Sequence, residues 1–241
     1  DVITVQNCDV FLYIGGESDE WVDKILASMD TGSMKILSLM DSVQLVEEEI
    51  VEGMEEESEE EEEDGPAWDE HIWTSPRNAK LMAQAISGAL CEADEANASF
   101  YAQNTSRFLA ELDDLDASFR SVVDKAARKT IVFGDRFPFR YFADDYGLDY
   151  FAAFPGCSTE TEPSAATVAG LIDKVKDEQI PVVFHIELSN ERMADAIAEA
   201  TGAKPMLLHA CHNIARDDFE NGVRYLDLMR QNVETLKEAL L

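Results

Sequence analysis

The hydrophobic positions along the chain switch repeatedly between two periods. From Asp9 to Gly16 a continuous apolar run, preceded by Cys8, ends in two glycines, as a strand buried on both faces does. Trp21, Val22, Ile25, Leu26 and Met29 then recur at helical spacing, and Lys35 to Met40 reads as a second short strand. Further on, Ser75 followed by Pro76 predicts a capped helix start, with Ala79, Met82, Ala83 and Ile86 on its apolar stripe. From Asp94 to about Ala127 one long helical pattern carries Phe100, Tyr101, Phe108, Leu112, Leu115, Phe119, Val122 and Val123, without Gly or Pro. At about 1.5 Å per residue it would reach about 50 Å, the height of a two-lobed molecule.

The alternation then resumes. Strands are expected at 130–133, 150–154, 181–186 and 206–209, and helices at 139–146, 164–178, 192–201 and 219–240. Successive βα units imply a parallel sheet covered on both faces. The expected fold is therefore α/β: two lobes, each a parallel sheet flanked by helices, joined by one long backbone helix. The boundaries read as a first lobe at 1–92, with an acidic loop at 47–65, a linking helix at 93–128 and a second lobe at 129–241. In such sheets ligands bind beyond the C-terminal ends of the strands. That rule points to Asp135 and Arg136, the loop from Pro155 to Glu162, Glu187, and the run from His209 to His212.

Charge narrows the partners. Fifty acidic against nineteen basic residues leave a net charge of -31, which repels nucleic acid and anionic lipid and favours cations. Thirteen of the eighteen residues from Glu47 to Asp64 are Asp or Glu, a run that repels itself and stays solvated. No stretch approaches the roughly 20 apolar residues of a membrane span, and no leader pattern opens the chain. The four cysteines, Cys8, Cys91, Cys157 and Cys211, form no C-x-x-C pair. A Cys157–Cys211 disulfide and buried free thiols are both open readings.

Imidazole is the commonest transition-metal ligand, and the chain has four histidines. His71 stands beside Asp69 and Glu70 at the base of the acidic run. His209 and His212 flank Cys211 just after a strand, which puts several donors on one loop at the functional end of the sheet. His185 falls within a strand on the face shared with Glu187 and reads as structural. Glu187, Glu160 and Glu162 could add an oxygen ligand or support, Glu162 more readily as a helix cap. No Ser-His-Asp order, phosphate loop or HExxH helix is present. An enzyme reading would have to use Cys157 or Cys211 with His209 as base, and no third orienting group accompanies them. A weak divalent-cation buffer or acidic surface adhesin built on the Glu run is the other alternative.

Taken in order, CDVFLYIGGESDEW, DEHIWTSPRNAKLMAQAI after an acidic insertion, the long helix, RYFADDYGL, ETEPS, IAEATGAK and YLDLMRQNVETLKEAL resemble the zinc- and manganese-binding lipoproteins of metal ABC importers across essentially the whole chain. The resemblance implies a cleft between lobes in which N and O ligands hold a metal, Zn²⁺ before Mn²⁺. It also implies an ABC permease as partner, a monomer, and an extracytoplasmic location with a lipid anchor that this chain lacks. His71 matches the family histidine ahead of Trp-x-x-Pro. The family's earliest ligand histidine lies in an upstream portion that has no counterpart here, so the resemblance makes Asp1 the start of a fragment. Arg136 stands where the family usually has a histidine, and a guanidinium cannot ligate a cation. His209 stands where the family usually has an aspartate. The expected metal ligands are thus His71, His209, His212, Glu187 and Asp135, with Asp135 or Glu187 alternatively pairing Arg136.

Overall fold

The computed structural model describes residues 2–32, 34–54, 67–158 and 163–241. After a short helix α1 (Val2–Gln6), strand β1 (Val10–Tyr13), helix α2 (Trp21–Ala27) and strand β2 (Lys35–Ser38) form a parallel β-α-β unit, with Val10 opposite Lys35. Helix α3 (Pro76–Ala93) starts as expected: the Ser75 hydroxyl accepts the Asn78 amide and Pro76 needs no N–H partner in the first turn. Helix α4 spans Ala98–Val123, shorter than the helix expected from Asp94 to about Ala127. Asp94 ends α3, and its carboxylate takes hydrogen bonds from Asn97 and Tyr101, which turns the chain through residues 95–97 before α4 begins.

The second lobe follows the expected order: β3 (Thr130–Phe137), α5 (Arg140–Tyr146), β4 (Asp149–Pro155), α6 (Ala165–Asp177), β5 (Val182–His185), α7 (Arg192–Thr201) and β6 (Lys204–Leu207). Its four strands are all parallel, in the order β4-β3-β5-β6. The closing helix was expected from 219, but Gly222 at φ 73° breaks the chain there. A short α8 (Arg216–Glu220) and a separate α9 (Tyr225–Leu240) result, with Arg224 and Asp227 forming a reciprocal cap.

Alternation along β3 separates the two faces of this sheet. Ile131 and Phe133 join α4, α5 and α9 through Leu115, Phe119, Phe142 and Met229, while Val132 faces Leu171 of α6 and Ile197 of α7. At Gly134 a Cβ would lie 2.6 Å from the Ala194 backbone, so the missing side chain lets α7 close on the sheet.

The lobes meet through polar groups as well as apolar ones. Tyr141 of α5 is buried in the first-lobe cluster with Leu39, Met40, Ile72 and Met82. Its hydroxyl donates to the Asp69 carbonyl at 2.7 Å and accepts the Val46 amide at 3.3 Å. Arg77 of α3 reaches Asp145 at 2.9 Å and Asp116 at 3.3 Å. The acidic segment enters and leaves through a paired neck: Glu47 bridges Trp68, the Glu48 amide donates to Ala67, and the Asp69 amide donates to Val46. Met54, just past the neck, is buried in the second-lobe core.

Tyr141→Phe keeps the ring and strands two buried backbone groups. It is expected to lower stability by about 1–3 kcal/mol, seen as a drop in the urea midpoint at unchanged slope.

Candidate metal centre

A cleft of about 430 Å³ opens where strand ends converge: Ile14 to Asp19 after β1, Arg136 in β3, Gly156 to Ser158 after β4, Ile186 to Ser189 after β5, and His212 with Asn213 after β6. Glu70, His71 and Trp73 from the segment before α3 form the remaining wall. This is where an open parallel sheet presents its ligands.

His71 is buried, at 5% exposure, and Asp69 at 1%. The Asp69 Oδ1 accepts the His71 backbone amide at 2.8 Å and lies 3.3 Å from the His71 Nδ1. A carboxylate at Nδ1 places the imidazole proton there, an assignment made from the partner, and leaves the Nε2 lone pair as donor. Among the described residues the Asp69 Oδ2 has no hydrogen-bond partner. Gly156 makes this fit possible, because a Cβ there would sit 3.2 Å from both Asp69 Oδ2 and His71 Cε1, and 2.9 Å from the Phe137 carbonyl.

His212 comes from the other side of the cleft. Its ring meets His71 edge-on at 5.6 Å and Trp73 at 5.7 Å, with Trp73 also 5.4 Å from His71. Two imidazoles on one tetrahedral zinc, at about 2.0–2.1 Å per Zn–N bond, would have centroids about 5 Å apart, so the spacing suits a shared ion. The loop that carries His212 turns through Cys211 at φ 56° and is held by Glu187. The Glu187 Oε2 accepts the Ala210 amide at 2.7 Å, and Oε1 accepts those of His212 at 2.8 Å and Asn213 at 3.1 Å. The His212 pKa is pushed below 6.5, first by burial and then by the adjacent His71 and Arg136, with Glu187 and Glu70 opposing. A neutral imidazole is the form that binds metal.

The other expected ligands lie elsewhere or serve other groups. His209 does not line the cleft: its Nε2 lies 3.2 Å from Gln231 of α9, and Asn232 takes both its backbone groups. Of these two histidines only His212 lines the cleft, since reversal at Cys211 turns them apart. Asp135 ties β3 to the end of β5 by accepting the amides of Arg136 at 2.8 Å and Ile186 at 3.1 Å, and it does not line the cleft. Glu187 lines the cleft with both oxygens committed to backbone amides. His185 sits against the Ile186 carbonyl and 4.0 Å from Glu191. Glu160 and Glu162 lie outside the described residues. Cys157 and Cys211 are free thiols. Among the described residues no three His, Cys, Asp or Glu side chains group closely enough to hold one metal.

The residues that sequence reasoning missed are anchors. Asp19 accepts the amides of Ile14 and Gly15, each at 3.0 Å, and Glu70 accepts the Ser18 amide at 2.8 Å. An aspartate four residues after Gly15 was the available signal for the first. Trp73, whose indole donates to the Ala210 carbonyl at 2.9 Å, pins the His212 loop to the first lobe.

A family model described as "Zinc-uptake complex component A periplasmic" matches residues 1–239. The chain belongs to this zinc-uptake family. Among its relatives is the high-affinity zinc uptake system protein ZnuA of Bacillus subtilis, 31% identical over 245 residues that take in 100% of this chain and 75% of the relative. The zinc-binding lipoprotein AdcA of Streptococcus pneumoniae is 28% identical over 241 residues; this chain is covered to 99% and spans 47% of that longer protein. Among solved structures, the Zn(II)-bound ZnuA-like domain of the pneumococcal AdcA superposes with a TM-score of 0.78 at 25% identity, over 99% of this chain and 82% of that one. Family membership bears out the resemblance read from the motifs and the α/β fold with parallel sheets.

Two outcomes are expected of this family member. Glu187→Gln presents amide hydrogens to backbone donors and should loosen the His212 loop, weakening zinc binding about 10–100-fold in a chelator competition. The depressed His212 pKa means that the unfolded chain takes up a proton first as pH falls below 6.5. The apo-protein should therefore lose stability between that pH and the folded value, and urea unfolding of His212→Gln should lack this component.

Proposed function

We propose that this chain captures a transition-metal ion, zinc first, outside the cytoplasm and passes it to the permease of an ABC importer. The observation that supports it best is the pair of imidazoles, buried His71 and the more open His212, brought from the two lobes to 5.6 Å across one cleft. Each is held by a carboxylate that is not itself offered to the ion: Asp69 orients His71, and Glu187 holds the His212 loop through its backbone. Imidazole donors favour zinc over manganese, which prefers carboxylate and water oxygens. The names of the relatives, with their zinc uptake and zinc binding, agree with that choice. Among the described residues no helix is long and apolar enough to cross a membrane, so association with the importer's membrane would rest on a lipid anchor supplied outside them. The protein works as a monomer in this reading.

The cysteines support binding over catalysis. Burial, then the charge of Glu187, pushes the Cys211 thiol up to about 12. Desolvation and the charges of Glu48, Asp69 and Glu70 raise Cys157 as well. Both are neutral thiols at physiological pH, and the thiolate is the nucleophile.

A zinc titration against a chromophoric chelator tests the reading. One tight equivalent should vanish in His71→Ala and in His212→Ala and persist in His209→Ala. Several weak equivalents indifferent to all three substitutions would mean that the acidic segment does the binding and that this site is wrong.

A further inference from the structure

The acidic run begins as a strap from one lobe to the other. Val46, before the neck, packs in the first-lobe cluster, whereas Val51 and Met54, after it, pack in the core that holds Phe137 and Tyr150. Between them Glu49 accepts the Tyr150 hydroxyl of β4 at 3.1 Å and faces the Arg140 guanidinium of α5 at 3.5 Å. The Glu48 contact differs in where it lands: its Oε1 accepts the Cys157 amide at 2.9 Å. Strand β4 ends at Pro155, and Cys157 stands in the turn that follows. Its amide lies beyond the strand ladder and takes its acceptor from a segment 109 positions away.

The residues that flank this amide both touch the metal centre. Gly156 lies against Asp69 and His71, where a Cβ would come within 3.2 Å of Asp69 Oδ2 and of His71 Cε1. Ser158 is buried, and its carbonyl accepts the Arg136 Nε at 2.5 Å. Gly156, Cys157 and Ser158 all line the cleft. A carboxylate on the middle of this wall makes a charge-assisted bond, about twice as strong as a neutral one. It fixes the surface against which the His71 ring is packed.

We propose that Glu48 is a positioning residue of the zinc site, which clamps the wall from Gly156 to Ser158 and so keeps the His71 imidazole aimed into the cleft. This role rests on the reading of the cleft as a zinc site. It also divides the acidic run, which the sequence reads as solvated throughout: Glu48 and Glu49, at its root, serve the cleft wall and the junction of the lobes.

Three variants of the full chain separate positioning from charge and from strap packing. In chelator competition Glu48→Ala should bind zinc about tenfold more weakly, chiefly through faster dissociation. Glu48→Gln, which loses the charge but keeps an oxygen for the Cys157 amide, should recover most of that loss. Glu49→Ala, which removes a charge from the same strap without touching the wall, should stay within about twofold of the wild type. Long-range 1H–15N spectra of the imidazoles, recorded without metal, should show the His71 ring signals displaced in Glu48→Ala and those of His209, outside the cleft, unmoved. Equal weakening in Glu48→Ala and Glu48→Gln would assign the effect to charge, and equal weakening in Glu48→Ala and Glu49→Ala to the strap as a whole. Either result overturns the positioning role, as does wild-type zinc affinity in Glu48→Ala, and the zinc site then stands. If the wild type itself holds no tight equivalent of zinc, the zinc site is overturned and this role with it.

Discussion

Asp69 to Ser75 run between the two lobes with only one 3₁₀ turn of regular structure, and Asp69, His71, Ile72, Thr74 and Ser75 are buried where water does not satisfy their polar groups. Every partner must therefore come from the protein. The Asp69 amide and carbonyl go to Val46 and Tyr141, the Trp73 carbonyl to Tyr225, the Trp73 indole to Ala210, and the Ser75 hydroxyl to Asp145 and the start of α3. Four of those six partners belong to the second lobe. The segment that carries His71 is thus held in place by the lobe that carries His212, and the spacing of the two imidazoles is a product of the same hydrogen bonds that join the lobes. Each bond is worth about 1 kcal/mol net when made, yet costs more when only one partner is removed. This asymmetry makes the junction unforgiving.

The acidic excess and the site divide the electrostatic work. The net charge of -31 draws cations toward the surface without discriminating among them. Within the cleft the carboxylates are turned to backbone amides, and discrimination passes to neutral nitrogen donors. A buried carboxylate with one unpartnered oxygen, Asp69, is expensive. Its negative charge beside His71 is compensated best when a cation sits on the far side of the ring.

The order of strands and helices in the second lobe was legible because both faces of its parallel sheet are covered, which leaves unbroken apolar runs between polar turns, whereas β1 and β2 leave Leu12 and Ile36 exposed. The start of α3 was legible from Ser75 and Pro76. The length of α4 was misjudged because Asp94 and Asn97 end one helix and begin another without any Gly or Pro. His71 and His212 were both visible as candidates, but which of His209 and His212 faces inward depends on a reversal at Cys211, on the grip of Asn232 on His209 from 23 positions away and on that of Glu187 on His212 from 25. The register shift between Phe133 and Arg136 likewise decides where Asp135 and Arg136 point, and a hydrophobic pattern carries no signal for it.

The paired neck at Glu47 and Trp68 has an evolutionary consequence. The neck is closed by its own backbone bonds, and Met54 beside it is packed in the core. Doubling the length of a connection between ends fixed in this way costs only about 0.6 kcal/mol of closure entropy. Insertions, deletions and changes of composition at such a connection therefore carry little thermodynamic penalty.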